Sequence, residues 1–295
     1  MNISRRGFGA LVMSLAALPL GSSLAGCTGG DGAKTPSGSS AGSVSASTSK
    51  NTKVGEGTFT VGVRSDVMGF GYLNEHTGKY YGMEIDLARD LSDRLGYKNI
   101  EFKTVTPENR KQMLLDGEID AIIACYSISS TRTKNFDFSP AYYDDHVIAV
   151  VQNTSMIESI DDMKGMTFGA MSGANAAPLL NNKLKEIGFS KGTDKILGSD
   201  DKDVQFDTWH LLQFPSYQEL SDALEEGTVD AMVLDGAIAK TYMDDKRHEL
   251  AGFEVAQQSF GVATQKGSAL SQPVSDAIQA MLDDETVSNL IDKWN

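Results

Sequence analysis

Hydrophobic residues run together or alternate with polar ones in a pattern that predicts strands and helices along most of the chain. Residues 119–124 form an almost unbroken apolar run before a polar loop, which is typical of a parallel strand covered on both faces. The alternation over residues 58–63 predicts a second strand. Apolar residues at helical spacing over residues 84–95, followed by Gly96, predict an amphipathic helix. The chain is therefore predicted to be an α/β protein.

Other segments carry the same kinds of pattern. They predict a helix capped by Thr106 with Pro107 at its first position, strands over residues 146–151 and 167–171, a helix that follows the turn at residues 172–176 and runs on through Leu184 to Ile187, an extended segment over 253–263 and a closing helix with Pro273 at its first position. Residues 192–214 are polar and are predicted to be irregular.

One unit of the chain occurs twice. Residues 114–123 (LLDGEIDAII) recur as residues 224–233 (LEEGTVDAMV), and each copy predicts a helix end, a glycine and a buried strand. The repeat predicts two lobes of similar fold, each with a strand that ends at a shared cleft. The first strand leads to Arg132 and the second to Asp235, so opposite ends of an amino-acid zwitterion could each meet a complementary charge.

Five motifs, taken in order, resemble the extracellular solute-binding proteins for polar amino acids, the receptor part of ATP-driven importers. They lie at residues 78–88, 115–120, 127–132, 137–143 and 229–235, within a resemblance that covers about residues 58–294. The resemblance implies a two-lobed periplasmic-binding-protein-like (type II) fold, with an open sheet flanked by helices in each lobe and a two-strand hinge. It also implies an ABC importer permease as partner and a monomeric receptor.

The N-terminal segment predicts export and anchoring. Arg5 and Arg6 precede a short apolar stretch, which is typical of a signal peptide; a twin-arginine signal and an ordinary one both remain open. Residues 24–27 (LAGC) resemble a bacterial lipobox, which implies that Cys27 is lipidated, with palmitate as an expected acyl chain, and holds the protein on the outer side of the cell membrane. The alternative is secretion behind an ordinary signal peptide.

The predicted organisation has five parts. Thirty residues rich in Gly, Ser, Thr and Ala follow Cys27 and cannot form a core, so they predict a flexible tether. The parts are a signal peptide (1–27), the tether (28–57), the first part of lobe 1 (58–147), lobe 2 (148–252) and the return to lobe 1 (253–295). The net charge of −14 argues against nucleic acid as a partner.

The resemblance also implies the ligand-binding residues. Arg132 offers a planar fork for an α-carboxylate, Ser127 a hydroxyl, and Asp235 a carboxylate for an α-ammonium group. Alternatively, Arg132 is a surface residue and Asp235 caps the next helix. The further candidates are the backbone groups of Ala124 and Cys125 and, in a small-residue turn before a helix, Ser172 and Asn175.

Two more arginines bear on the identity of the ligand. Arg64 and Arg110 lie in segments that line the cleft in the family, where basic residues meet the side chain of acidic amino acids. Alternatively, both are solvated surface charges. Val67 stands where receptors for cationic amino acids often carry an aromatic ring. We therefore expect glutamate or aspartate as ligand, with glutamine next.

Two other function classes stay open. Dehydratases share this architecture, and Glu108 is the one glutamate beside the predicted cleft that could serve as their acid. The chain has no G-x-S-x-G or H-E-x-x-H motif, and its four histidines are scattered, so no catalytic residue, metal site or cofactor is predicted. The third class is a sensor domain that presents its ligand to a separate signalling chain.

Overall fold

The computed structural model describes residues 53–192, 194–197 and 201–294. Its strands are β1 (Thr58–Val63), β2 (Asp66–Val67), β3 (Gly71–Asn74), β4 (Lys79–Tyr81), β5 (Asn99–Thr104), β6 (Ala121–Ile122), β7 (Phe136–Phe138), β8 (Tyr143–Gln152), β9 (Thr167–Met171), β10 (Asp194–Ile196), β11 (Asp203–Phe206), β12 (His210–Phe214), β13 (Ala231–Asp235), β14 (Arg247–Phe260) and β15 (Ala263–Gln265). Its helices are α1 (Met83–Arg94), α2 (Arg110–Leu115), α3 (Ala176–Glu186), α4 (Tyr217–Glu225), α5 (Gly236–Tyr242), α6 (Ser271–Asp283) and α7 (Thr286–Trp294). A short 3₁₀ helix covers Ile160–Met163.

The strands form two large sheets and one small one. The five-stranded sheet has the order β5-β1-β6-β15-β7, the seven-stranded sheet has the order β10-β11-β12-β9-β13-β8-β14, and β2, β3 and β4 form a three-stranded sheet. We call lobe 1 the five- and three-stranded sheets with α1, α2, α6 and α7, and lobe 2 the seven-stranded sheet with α3, α4 and α5. The predicted two-lobed α/β fold is confirmed.

Apolar faces explain why the helices pack where they do. In α1 the residues Leu87, Ala88 and Leu91 are fully buried, and they recur at the spacing of one helix face. The helix ends before Gly96, whose φ of 80° is the left-handed conformation that stops a helix and favours glycine. Lobe 2 has its own core, in which Leu180 and Leu184 of α3 pack against the sheet.

The sequence repeat is also a structural repeat. In lobe 1, β6 pairs parallel with β1 and antiparallel with β15; in lobe 2, β13 pairs parallel with β9 and antiparallel with β8. The carboxylate of Asp120 accepts a hydrogen bond from the N–H of Thr60 at 2.8 Å, and that of Asp230 accepts one from the N–H of Thr167 at 2.8 Å. The repeated aspartate therefore fastens the start of one strand to its parallel neighbour in both lobes.

Two long strands connect the lobes. β8 follows β7 of lobe 1 and continues into the sheet of lobe 2, and β14 returns beside it, with register from Tyr143↔Phe260 to Arg247↔Gln152. The rings of Tyr143 and Phe260 stack with their centroids 5.8 Å apart. This pair of strands is the two-strand connection that the sequence predicted.

The segment 192–214 corrects a prediction. It is not irregular, because β10 and β11 form an antiparallel hairpin and β12 pairs parallel with β9. Trp209 is fully buried and stacks on Phe206 with a centroid separation of 4.0 Å. All three residues of β10 are exposed, and β9, the parallel partner of β12, lies about 40 residues earlier, so local periodicity does not reveal these strands.

One predicted helix start is also wrong. The predicted cap of α2 is present, although α2 is bounded as Arg110–Leu115: the Thr106 hydroxyl accepts from the N–H of Asn109 at 3.3 Å, and the Thr106 carbonyl accepts from the N–H of Arg110 at 3.1 Å. α6 begins at Ser271, which makes Pro273 its third residue. Proline is tolerated there because the N–H groups of the first turn have no partner within the helix.

The predicted signal peptide, Cys27 and all but the last few residues of the predicted tether lie outside the described residues. Within the described ranges, none of the helices combines the length and the apolar character that crossing a bilayer requires.

Candidate functional site

The ends of three central strands meet where the lobes touch. Arg64 follows β1, Cys125 lies beyond β6, and Asp235 is the last residue of β13. Their exposed fractions are 2%, 3% and 5%, so two charged side chains and a thiol are held away from solvent. Burying charge is costly unless it is compensated. This concentration of buried charge at strand ends marks the candidate site.

The two lobes contact each other directly above these strand ends. A Cβ atom at Gly173 of lobe 2 would lie 2.8 Å from the carbonyl carbon of Pro107 in lobe 1. The ammonium group of Lys202 in lobe 2 lies 3.0 Å from the carboxylate of Glu108 in lobe 1. Gly173 has φ of +72° and lacks a side chain, and both features permit this approach.

Arg132 is placed by the loop that follows β6. Its Nη1 donates to the carbonyl oxygen of Ser127 at 2.8 Å, and its guanidinium carbon lies 4.3 Å from the ring centroid of Tyr126. Burial lowers the pKa of Arg132, and within the described residues no carboxylate forms an ion pair with it. The remaining donors of its fork are therefore available for an anionic ligand.

Arg110 opens α2 and lies beside Arg132. Its Nη1 donates to the carbonyl oxygen of Ala124 at 2.8 Å, and its guanidinium carbon lies 4.4 Å from the same Tyr126 ring. Its Nε has no hydrogen-bond partner among the described residues. Burial, then repulsion from Arg132 and Arg64, lowers the pKa of Arg110 to about 10. An uncompensated, buried cation of this kind favours an anion as its partner.

Arg64 differs from the other two arginines because it has a carboxylate partner. Its Nε and Nη2 donate to the two oxygens of Asp66 at 2.8 and 2.6 Å, which is a bidentate ion pair. Its guanidinium carbon also lies 5.2 Å from the ring centroid of Tyr217 in lobe 2. Arg64 therefore lies in the cleft, as the sequence suggested, but most of its charge is already neutralised.

Asp235 does not cap the helix that follows it. The N–H of Ala237 at the start of α5 donates instead to the carboxylate of Asp145 in β8, at 3.1 and 3.3 Å. Oδ1 of Asp235 has no partner among the described residues. Burial raises the pKa of Asp235, and Gln258, Arg110 and Arg132 oppose the rise. The carboxylate is thus left to receive a cationic group.

Asp145 and Asp235 are close enough to repel each other. Burial, then the charge of Asp235, raises the pKa of Asp145 to about 6, although the N–H groups of His146 and Ala237 act against this. His146 Nδ1 lies 4.0 Å from the Asp145 carboxylate. Two neighbouring buried carboxylates suit a site that receives an ammonium ion.

Replacing Asp145 with asparagine is expected to stabilise the protein without ligand at pH 7.5 by about 3 kcal/mol. Between pH 3.8 and about 6 the folded protein keeps a proton that the unfolded chain has released, so stability falls as the pH rises through this window. The asparagine oxygen can still accept from Ala237. Urea unfolding at several pH values checks this: the gain should vanish near pH 4, and an equal gain at every pH would contradict it.

The backbone groups of Ala124 and Cys125 are partly used inside lobe 1. The Ala124 carbonyl accepts from Arg110, and the Cys125 N–H donates to Glu84 at 2.7 Å. Cys125 has φ of 47°, which turns the chain sharply at the strand end. Ser127 is buried in the same turn.

Glu84 is a site residue that the sequence analysis missed. It is fully buried at the start of α1 and accepts hydrogen bonds from Tyr142 Oη at 2.6 Å and from Cys125 N–H at 2.7 Å. Burial raises the pKa of Glu84, and these two hydrogen bonds oppose the rise. An acidic residue in the first turn of a helix is so common that its position gave no reason to place it beneath the site.

The second lobe contributes the turn before α3. The hydroxyl of Ser172 is buried and has no partner among the described residues, while its N–H donates to the carbonyl of Phe214 at 2.8 Å. Asn175 precedes α3, and its side chain does not cap the helix. The first N–H groups of a helix lack partners within it, so this turn is suited to an anion. A cavity of about 220 Å³, lined among others by Arg132 and Gly173, lies between the lobes here.

Replacing Gly173 with alanine is expected to weaken ligand binding about tenfold, because the added methyl group would keep the lobes apart at Pro107. Gly188→Ala is the matched control: Gly188 has φ of +73° and open space around it, so it carries the backbone penalty alone. Calorimetry should show a weaker affinity for the first variant only. Equal affinities in both variants would contradict a role for this contact.

Known proteins are similar to this chain over most of its length. Residues 59–295 match the model of the family described as bacterial extracellular solute-binding proteins, family 3. Among similar curated proteins, the ABC transporter glutamine-binding protein GlnH of Bacillus subtilis is 30% identical over 79% of each chain, and the glutamine-binding protein of Geobacillus stearothermophilus is 31% identical over 71% of this chain and 73% of its own. A solved structure of an ancestral arginine-binding protein bound to arginine is 26% identical, covers 81% of this chain and 99% of its own, and has a TM-score of 0.67.

Proposed function

Because the chain belongs to the bacterial extracellular solute-binding proteins, family 3, we propose that its cleft captures a free polar amino acid for an ABC-type importer. As a member of this family, it is a substrate-binding protein that acts outside the cytoplasm. The observation that carries the proposal is a pair of opposite charges at the cleft: Asp235, buried at the end of β13, and Arg132, partly buried in the loop that follows β6. Arg132 and Asp235 have no ion-pair partner among the described residues, and they match the two charged ends of an amino acid.

The ligand is an acidic amino acid, glutamate or aspartate. In the cleft, Asp66 neutralises Arg64, and Asp145 and Asp235 lie together at the ammonium end, which leaves a local excess of positive charge at Arg110, a buried cation with no ion-pair partner among the described residues. The Glu84 carboxylate accepts hydrogen bonds from Tyr142 Oη and from the Cys125 N–H, and it forms no ion pair with an arginine among the described residues, so it does not fully cancel that excess. A second carboxylate on the ligand would pair with Arg110 and balance the charge.

Glutamine is the second candidate. Two of the similar curated proteins, at 30% and 31% identity, are named for glutamine, and glutamate-binding protein GluB of Corynebacterium glutamicum is 25% identical. A neutral amide would bind Arg110 through its carbonyl oxygen but would leave the cation without a counter-charge. The side-chain charge of the ligand is therefore the property that separates the two candidates.

Ligand capture occurs by closure of the two lobes about β8 and β14. Arg132 and Ser127 of lobe 1 hold the α-carboxylate, assisted by the Ser172–Asn175 turn of lobe 2, and Asp235 of lobe 2 holds the α-ammonium group. Since the two ends of the ligand bind different lobes, ligand binding favours the closed form. Small-angle scattering checks this, and identical profiles with and without ligand would contradict it.

The protein works as a monomer held at the membrane by a lipid on Cys27. The segment from residue 28 to 57 acts as a tether that lets the closed form reach an importer permease. Substitution of Cys27 should release the protein from the membrane fraction while leaving ligand affinity unchanged. A variant that stays with the membrane would contradict lipid anchoring.

Calorimetry against the panel of amino acids tests the function. The purified protein is first unfolded and refolded to remove any bound ligand. Tight binding of glutamate or aspartate supports the proposal, and selective binding of glutamine supports the second candidate. No binding of any amino acid, together with turnover of prephenate or arogenate, would favour a dehydratase instead.

A further inference from the structure

The three arginines of the cleft differ in one respect that bears on ligand choice. Arg110 and Arg132 donate only to backbone carbonyls, Ala124 and Ser127 respectively. Arg64 is held by both oxygens of one carboxylate, at 2.8 and 2.6 Å. One acidic residue thus removes one of three positive charges from the site.

The two members of the Arg64–Asp66 ion pair differ in their exposure to solvent. The Arg64 side chain is 2% exposed and lies over Tyr217 of lobe 2, whereas the Asp66 side chain is 38% exposed. Arg64 directly follows β1 and Asp66 is the first residue of β2, with Ser65 between them, so the ion pair forms within a short local segment of the chain. The cation is therefore inside the cleft, and its partner is at the surface.

We propose that Asp66 is a specificity-determining residue, which withdraws the Arg64 fork from the ligand and lowers the positive charge that the ligand side chain meets. This inference rests on the proposed function, because it assumes that an amino acid side chain occupies the space between the arginines. Asp66 acts through Arg64 and through its own charge, without touching the ligand. It thereby limits how strongly the site prefers glutamate to glutamine.

Glutamate and glutamine are nearly the same shape and differ by one charge. A change in the charge of the site therefore changes the ratio of their dissociation constants, whereas a change in the shape of the site affects both alike. Charge effects in a buried site are strong, and the exposed end of the ion pair makes them partly sensitive to salt. If Asp66 had only a structural role, Asp66→Asn would change neither this ratio nor its salt dependence.

The experiment compares Kd for glutamine divided by Kd for glutamate in the full chain and three variants. Asp66→Asn should raise this ratio about tenfold or more at low salt, and less at about 1 M salt. Arg64→Ala leaves Asp66 unpaired and should lower the ratio. The double variant has the same net charge as the original pair and should return the ratio to within about threefold of the unmodified protein.

Asp90→Asn is the matched control, because Asp90 forms a surface ion pair with Arg94 in the same lobe, with both side chains partly exposed. It should leave the ratio unchanged. Thermal unfolding of each variant comes first; should Asp66→Asn not fold, the direction of change in Arg64→Ala decides alone. If Asp66→Asn leaves the ratio unchanged, the proposal is overturned. The same holds if the ratio in the double variant is as low as the ratio in Arg64→Ala.

The two proposals fail in different ways. An unmodified protein that binds no amino acid would overturn the proposed function and, with it, this inference. An unmodified protein that binds glutamate or glutamine, with ratios that do not respond to the charge at residue 66, would leave the proposed function standing and overturn only the role of Asp66.

Discussion

Replacing Arg132 with alanine is expected to lower the affinity for the amino acid ligand by about a hundredfold or more. The guanidinium group offers a planar fork to the α-carboxylate, and its loss leaves a ligand anion without a partner inside a closed cleft. Arg132→Lys keeps the charge but loses the bidentate geometry, so we expect only partial recovery. Calorimetry with glutamate measures both variants.

The matched control for this prediction is Arg89→Ala. Arg89 forms an ion pair with Asp86 on the surface of α1, with 47% of its side chain exposed. Arg89→Ala should leave the ligand affinity unchanged, and it should change the free energy of unfolding by no more than about 1 kcal/mol. The Arg132 variants should also keep their unfolding temperature, because Arg132 has no carboxylate partner among the described residues. An Arg132→Ala protein that binds glutamate within about threefold of the unmodified affinity would rule out the assigned role.

The fold could be predicted because the repeated unit carries local and long-range information together. The glycine marks the helix end, and the apolar run marks the buried strand. Each repeated aspartate fastens that strand unit to its neighbour, Asp120 to Thr60 and Asp230 to Thr167. Each copy of the repeat also accepts a hydrogen bond from a glutamine outside it. Gln265 donates to the Leu114 carbonyl in lobe 1, and Gln152 donates to the Leu224 carbonyl in lobe 2. Those glutamines lie far from the repeat in sequence, so no local pattern connects them.

The site was harder to predict where partners come from distant strands. The carboxylate of Asp145, about 90 residues before Ala237 in the sequence, caps α5, so the carboxylate of Asp235 is not used as the cap. No sequence pattern indicates that Asp145 takes this role. The Arg64–Asp66 pair is different, because its members are two residues apart, and the sequence could have suggested it.

Replacing Asp235 with asparagine is expected to weaken ligand binding about a hundredfold. The amide has the same shape as the carboxylate but carries no charge, so the α-ammonium group loses its counter-charge. Arg110 and Arg132 would at the same time lose the negative charge that partly offsets them. Calorimetry with glutamate at neutral pH measures the loss, and Asp222→Asn, an exposed position on α4 of the same lobe, serves as control.

The pH dependence separates a charge effect from a packing effect. Burial raises the pKa of Asp235, so acidification should protonate it at a higher pH than an ordinary aspartate and weaken ligand binding in the unmodified protein. Asp145 titrates nearby, with a pKa of about 6, and contributes to the same fall. Asp235→Asn should therefore show a flatter profile than the unmodified protein, and Asp235→Asn combined with Asp145→Asn should be flatter still. If Asp235→Asn keeps the full pH dependence of the unmodified protein, the ammonium site lies elsewhere in the cleft.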